Sequence, residues 1–211
     1  MTLGMMGEGE CQRFVSGEWQ LTEASVALSE EGLKPIRLQA KEGLSLINGT
    51  SQMCAYLTCT VLNMETLSFA ADASIACSLE AIRGSHKPFD KRIHDSRPQF
   101  GQSISAARIS ELLSNSEIML SHADCDRVQD AYCFRCSPQV HGPVIEMLRE
   151  VRRILEVEIN SATDNPLVFV DEDGSAEIIS GGNFHGQNLS LASDSIAIAC
   201  HELASLSLIH I

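Results

Sequence analysis

The sequence predicts an all-α fold, a bundle of long helices with one small β-hairpin, and three observations carry that expectation. Residues 51–83 keep a helical pattern without proline, with Ala55, Ala70, Ala71, Ala73, Ala76 and Ala81 interspersed. The 211 residues include only 6 prolines and are 44% hydrophobic, which supplies a core and argues against disorder. Strand candidates are confined to residues 167–180.

Met1 to Glu10 mixes apolar residues and glycines with no leader or cap before them, so Met1 is expected to be internal to a longer parent. Trp19 to Leu33 has the pattern of an amphipathic helix, with Thr22 as N-cap and Gly32 with Pro35 as the stop. A shorter helix is predicted from Ala40 to Ile47, ended by the turn-forming pair Asn48-Gly49. The long helix over 51–83 comes next; its small residues would let a neighbour approach closely, and Gly84 closes it. Residues 85–98 hold Pro88 and Pro98 and read as an ordered loop.

Helix resumes from Gln102 to Leu113 and gives way to a polar segment over 114–127. It returns with Pro143 at an N-terminus and with Val144, Met147, Leu148, Val151, Ile154 and Leu155 at helical spacing, as far as Ile159. Leu167 to Val170 and Glu177 to Ser180 flank the turn-forming residues 171–175 as the hairpin. The last helix starts near Asn188, with Leu191, Ile196, Ile198 and Leu203 as its expected core positions. Asp194, His201 and Glu202 would be costly in hydrocarbon, so it does not read as a membrane span. No repeat, linker or domain boundary stands out.

Charge and cysteine content narrow the function. Fifteen Lys+Arg against 28 Asp+Glu give a net charge of −13, so nucleic acid and anionic membrane would be bound against the field of the whole chain. Eight cysteines are too dilute for a disulfide-stapled secreted domain, which favours a reducing cytoplasm.

Gln129, Tyr132 and Arg135 recur every three residues, a spacing that places an amide, a phenol and a guanidinium on one face of a helical turn. Arg can hold a carboxylate through two parallel hydrogen bonds, so the set suits an amino or carboxylic acid. The same spacing also fits an interior turn whose polar groups satisfy nearby backbone. Cys133 and Cys136 form a Cys-x-x-Cys pair suited to a redox dithiol or half of a zinc site. No second pair follows and the histidines are scattered singly, so no metal set is legible and buried free thiols are expected. The glycine turns at Asn48-Gly49-Thr50 and Ser180-Gly181-Gly182-Asn183-Phe184-His185 lack phosphate-loop spacing.

Taken together, these segments resemble the aromatic amino acid ammonia-lyase family. The likeness rests on Lys41-Glu42-Gly43-Leu44 with Ile47-Asn48-Gly49-Thr50, and on Gly84-Ser85 with Pro88-Phe89-Asp90 and Arg92-Ile93-His94. It continues through Arg127 to Tyr132, Phe134-Arg135-Cys136, Pro138 to Gly142, Glu158 to Leu167 and Ser180 to Gly186. The resemblance implies the family's long-helix bundle, a homotetramer with active sites shared between subunits, and, nearest to its histidine-deaminating members, conversion of L-histidine to trans-urocanate and ammonia. It also implies an electrophilic 4-methylidene-imidazol-5-one, formed in the family from an Ala-Ser-Gly tripeptide, to which side chains add orientation and charge.

By motif position, the resemblance makes Asn48 and Tyr132 catalytic. Arg135 becomes the clamp for the α-carboxylate, with Gln129 and Phe184 as further substrate contacts. Asn48, Gln129 and Phe184 would also lie against the prosthetic group; no metal is implied. Ala24-Ser25, Ala73-Ser74, Ala192-Ser193 and Ala204-Ser205 are followed by Val26, Ile75, Asp194 and Leu206, so no Ala-Ser-Gly occurs in the chain. Residues 1–205 are therefore expected to be an interior part of one catalytic domain, inactive alone, and residues 206–211 a tail encoded by a library adapter. A phenylalanine or tyrosine ammonia-lyase or aminomutase is the alternative within the family. A zinc or redox module on Cys133 and Cys136 is the alternative outside it.

Overall fold

The computed structural model describes residues 1–124 and 128–206. Arg127 and residues 207–211, which include most of the expected adapter tail, lie outside them. The chain forms two compact units: Met1–Thr50 with Thr163–Phe184, and Ser51–Ala162 with the segment from His185 onward.

In the first unit, α1 (Thr2–Met5) is followed by β1 (Glu10–Val15), β2 (Glu18–Glu23), α2 (Ala24–Glu30) and α3 (Glu42–Ile47), and later by β3 (Leu167–Val170) and β4 (Ala176–Ile179). The β1–β2 hairpin corrects the helix expected from Trp19: residues 19–23 are strand, and helix begins only at Ala24. The cause is the two-residue turn Ser16-Gly17, both at positive φ, which matches the twist of a tight hairpin. Phe14 and Trp19 then face each other across the strands with ring centroids 5.1 Å apart. Arg13 ties the hairpin to the end of α2 through Glu30 and through Glu31, 2.8 Å away. The second hairpin forms where the sequence places it, β3 pairing antiparallel with β4.

The second unit is helical: α4 (Ser51–Ile82), a 3₁₀ turn (Lys87–Phe89), α5 (Lys91–Asp95), α6 (Phe100–Leu112), α7 (Glu117–Leu120), α8 (Tyr132–Arg135), α9 (Ser137–Ile159) and α10 (Gln187–Ser205). One core cluster joins Leu57, Val61 and Met64 of α4 to Val144, Leu148, Val151 and Leu155 of α9 and to Leu189 and Ile196 of α10. A second gathers Leu79, Phe89, Ile109, Leu113 and Met119. Leucine, valine and methionine fill half of the buried stripe of α4; of its six interspersed alanines only Ala76 is buried.

Three expectations change here. Residues 85–98 are not wholly loop, because the Asp90 carboxylate caps α5 by accepting from the Arg92 N–H at 2.9 Å. Helix α9 starts six residues before Pro143: Pro138 occupies the first turn, where a missing N–H costs nothing, and Pro143 sits inside the helix on its exposed side. In α10 the buried face is Leu189, Ala192, Ile196 and Ala199, whereas Leu191 and Ile198 are exposed. Apolar residues lie on both sides of that helix, and Ala192 and Ala199 sit on the side that meets its neighbours. Leu203 packs against the core as expected. No helix among the described residues is long and apolar enough to cross a membrane.

Candidate active site

The N-terminal turn of α9 and the residues leading into it build the most chemically distinctive part of the second unit. Tyr132 and Arg135 belong to the single turn α8, but Gln129 precedes it in extended chain. The expected shared helical face is thus only partly formed, because the backbone at Ala131 is extended (φ −59°, ψ 154°) and helix cannot begin before Tyr132. The Arg135 guanidinium lies over the Tyr132 ring, 4.5 Å from its centroid, an arrangement that fixes the plane of the cation.

Arg135 and Gln129 line a cavity of about 530 Å³. Arg83, His86, Lys87 and His122 also line it, so a chain of net charge −13 turns a basic wall toward this space. Asp130 is the acidic group of the lining among the described residues, and its Oδ2 accepts a hydrogen bond of 2.6 Å from the Ser85 N–H. A Cβ at Gly84 would meet Leu79 Cδ2 at 2.6 Å and Asp130 Oδ2 at 3.3 Å, so glycine lets the two segments approach without displacing the buried Leu79 side chain. Behind the wall, His94 Nε2 donates to the Pro88 carbonyl at 3.1 Å while its Nδ1 accepts from Gln102 at 2.9 Å. Arg97 in turn donates to Gln102 Oε1 at 2.9 Å. That relay fixes the tautomer of His94 and the position of the turn carrying Lys87.

Two residues that line the cavity each hold a buried polar atom with no partner among the described residues: Arg135 Nε, a donor, and Gln139 Oε1, an acceptor. Leaving such groups unpaired costs stability. Gln139 was not singled out by spacing, although it stands four residues after Arg135 in the Pro138 to Gly142 motif. The wall residues Arg83, Lys87 and His122 were not singled out either, because they come from three separate segments.

Asn48 and Phe184 belong to the first unit. Asn48 follows the last turn of α3, and its N–H donates to the Leu44 carbonyl at 2.8 Å. Phe184 is half exposed at the end of the Gly181-Gly182 turn. That turn is anchored by the Gly181 N–H donating to Asn165 Oδ1 at 2.8 Å. Alongside, Asp164 accepts from Lys41 Nζ at 2.6 Å and from Ser45 Oγ at 3.2 Å. The Lys41 hydrogen bond, followed by the Asn165 N–H, holds the Asp164 carboxyl below the usual carboxylate range.

Cys133 and Cys136 are partly exposed free thiols, and no group of three or more His, Cys, Asp or Glu side chains among the described residues could hold a metal ion. The prosthetic group implied by the resemblance can be judged by the donors present. The Gln129 amide and the Tyr132 phenol of the second unit are exposed, and these donors are chemically suited to a polar carbonyl-bearing electrophile.

The family model for aromatic amino acid lyases matches residues 1–210. A histidine ammonia-lyase of Myxococcus xanthus is 50% identical over 207 residues, covering 98% of this chain and 39% of the relative. The crystal structure of histidine ammonia-lyase from Trypanosoma cruzi is 41% identical with a TM-score of 0.80, covering 98% of this chain and 37% of that one. A tyrosine aminomutase from Streptomyces globisporus is 36% identical with a TM-score of 0.81, covering 97% and 41%. The chain thus spans about two fifths of the length of these relatives.

Proposed function

The chain belongs to the aromatic amino acid lyase family, and on that premise we propose that the complete protein is a histidine ammonia-lyase that converts L-histidine to trans-urocanate and ammonia. The observation that supports this reading is Arg135, placed over the Tyr132 ring in the lining of a basic cavity. A planar guanidinium suits a carboxylate. Fifty per cent identity to a histidine ammonia-lyase favours histidine as the amino acid.

In this reading Arg135 binds the α-carboxylate and Gln129 orients the substrate by hydrogen bonds from its amide. Tyr132 is the polar catalytic group nearest to Arg135, able to donate or accept a proton through its phenol oxygen. Asn48 and Phe184, of the first unit, take their roles from motif position, the amide as a hydrogen-bonding group and the ring as an apolar contact. The family's 4-methylidene-imidazol-5-one, made from an Ala-Ser-Gly run that lies outside this chain, supplies the electrophile that makes loss of ammonia feasible.

The same reading makes residues 1–205 an interior part of one catalytic domain, inactive alone, and the complete protein a cytoplasmic homotetramer. Exposed apolar side chains on α4 (Tyr56, Leu62, Leu67, Phe69) and on α10 (Leu191, Ile198) support assembly. Incubating the complete protein with L-histidine is expected to release ammonia while urocanate absorbance rises. The similarity to a tyrosine aminomutase supports the second reading: turnover of tyrosine or phenylalanine but not histidine would establish it and remove the first.

A further inference from the structure

Helix α3 carries Asn48 at its C-terminal end, and polar contacts rather than a core hold it. It is six residues long and none of its residues is buried. A helix that short does not keep its shape without tertiary contacts. Lys41, at its N-cap, adopts a left-handed conformation (φ 76°) that disfavours any residue with a Cβ. Its Nζ donates to Asp164 Oδ2 at 2.6 Å and to the Pro166 carbonyl at 2.5 Å. One turn later Ser45 Oγ donates to the same Asp164 oxygen at 3.2 Å. The Asn48 N–H then closes the final turn on the Leu44 carbonyl, so the tethered turn leads directly to Asn48.

The tether continues beyond the carboxylate. Asp164 Oδ1 accepts from the Asn165 N–H at 2.7 Å, and Asn165 Oδ1 accepts from the Gly181 N–H at 2.8 Å. Gly181 stands three residues before Phe184, in a stretch over 180–184 whose residues are all exposed. A chain of hydrogen bonds therefore runs from α3 through Asp164 and Asn165 to the turn before Phe184, wholly inside the first unit. The Lys41 hydrogen bond holds the Asp164 carboxyl low, so it is ionised at neutral pH and accepts from all three donors.

We infer that Asp164 is a positioning residue for the reaction: by anchoring α3 and, through Asn165, the Gly181 turn, it sets the place of the Asn48 amide and of the Phe184 ring. This rests on the reading that gives Asn48 and Phe184 their roles. Small displacements of such groups cost far more in rate than in folding. A half-exposed ion pair, by contrast, contributes little to stability.

The test is made on the complete protein with Asp164→Ala and with Asp164→Asn, which keeps the shape and one acceptor oxygen. Asp164→Ala should lower kcat for L-histidine on the order of a hundredfold, with the melting temperature nearly unchanged. KM should move much less than kcat, because the substrate carboxylate is assigned to Arg135. Asp164→Asn should show the same split with a smaller loss. Introduced into Asn48→Ala, Asp164→Ala should lower kcat only about twofold further, since the two changes then act through one group. Hydrogen exchange of the segments 42–48 and 180–184 should be several-fold faster in Asp164→Ala. Unchanged kcat, a loss that falls on KM alone, a full further loss in Asn48→Ala, or exchange altered in only one segment would overturn the role of Asp164 and leave the lyase reading intact. If the unaltered protein turns over no aromatic amino acid, the lyase reading falls, and with it the catalytic role of Asp164, while the exchange comparison still decides whether Asp164 couples the two segments.

Discussion

Asp72 of α4 and His141 of α9 meet at 2.8 Å between Oδ1 and Nδ1, at 0% and 2% exposure. The same Asp72 oxygen accepts from Ser105 Oγ of α6 at 2.6 Å, and Arg108 Nη1 approaches the second oxygen at 3.4 Å. One buried carboxylate therefore fastens three helices, two residues beyond Gln139 on α9. Asp72→Ala leaves His141 and Ser105 without that acceptor and should destabilise the protein by about 3 kcal/mol or more, whereas Asp72→Asn keeps one acceptor oxygen and should cost less. Denaturant titration of the two variants checks the order.

Gly101 and Gly142 bring the backbones of α6 and α9 into contact. A Cβ on Gly101 would stand 2.0 Å from the Gly142 carbonyl oxygen, and one on Gly142 would stand 2.4 Å from the Gln102 nitrogen. Backbone atoms cannot yield as a flexible side chain can, so Gly142→Ala should lie at the upper end of the ~1–3 kcal/mol cost of overpacking. Gly43, in α3, has only Leu38 Cδ1 nearby at 3.7 Å, and Gly43→Ala should be neutral or stabilising. Melting temperatures that fell equally for both would refute this distinction.

Asp164 makes a pH-dependent contribution. Its carboxyl, lowered from an ordinary value of 3.8 chiefly by the Lys41 hydrogen bond, binds a proton less readily in the folded than in the unfolded chain. The contribution is therefore full above pH 3.8 and is lost as pH falls through the lowered folded value. Replacing Lys41 by Met should bring the Asp164 titration, followed by NMR of its carboxyl carbon, back toward 3.8.

The Cys54 thiol is buried in the core cluster of α4, α9 and α10, and burial, reinforced by Glu158, pushes its pKa up. It should react with a thiol reagent near neutral pH only at the rate of unfolding. Labelling followed by mass spectrometry checks this; rapid modification of Cys54 in the folded protein would contradict the packing described.

Much of the fold was legible because long helices announce themselves: Ser51–Ile82 agrees with the predicted helix within one residue at its end. The β1–β2 hairpin was missed because the apolar residues of 19–33 fit a helical period when Ser16-Gly17 is overlooked as a turn. In α10, periodicity identified the helix but not the face that is buried. At the candidate site, spacing and motif single out Gln129 and Arg135, which line one cavity, and Tyr132, whose ring lies under Arg135. The basic wall was not legible, since Arg83, Lys87 and His122 converge only through the capped turn at Asp90 and the Asp130–Ser85 hydrogen bond.

The most direct measurement is kcat/KM for L-histidine in the complete protein and its Arg135→Met variant, with folding verified by circular dichroism. If Arg135 holds the substrate carboxylate in a histidine ammonia-lyase, the unaltered protein forms urocanate, and the variant loses on the order of a hundredfold or more in kcat/KM. Urocanate formation that is unchanged in Arg135→Met would contradict the account.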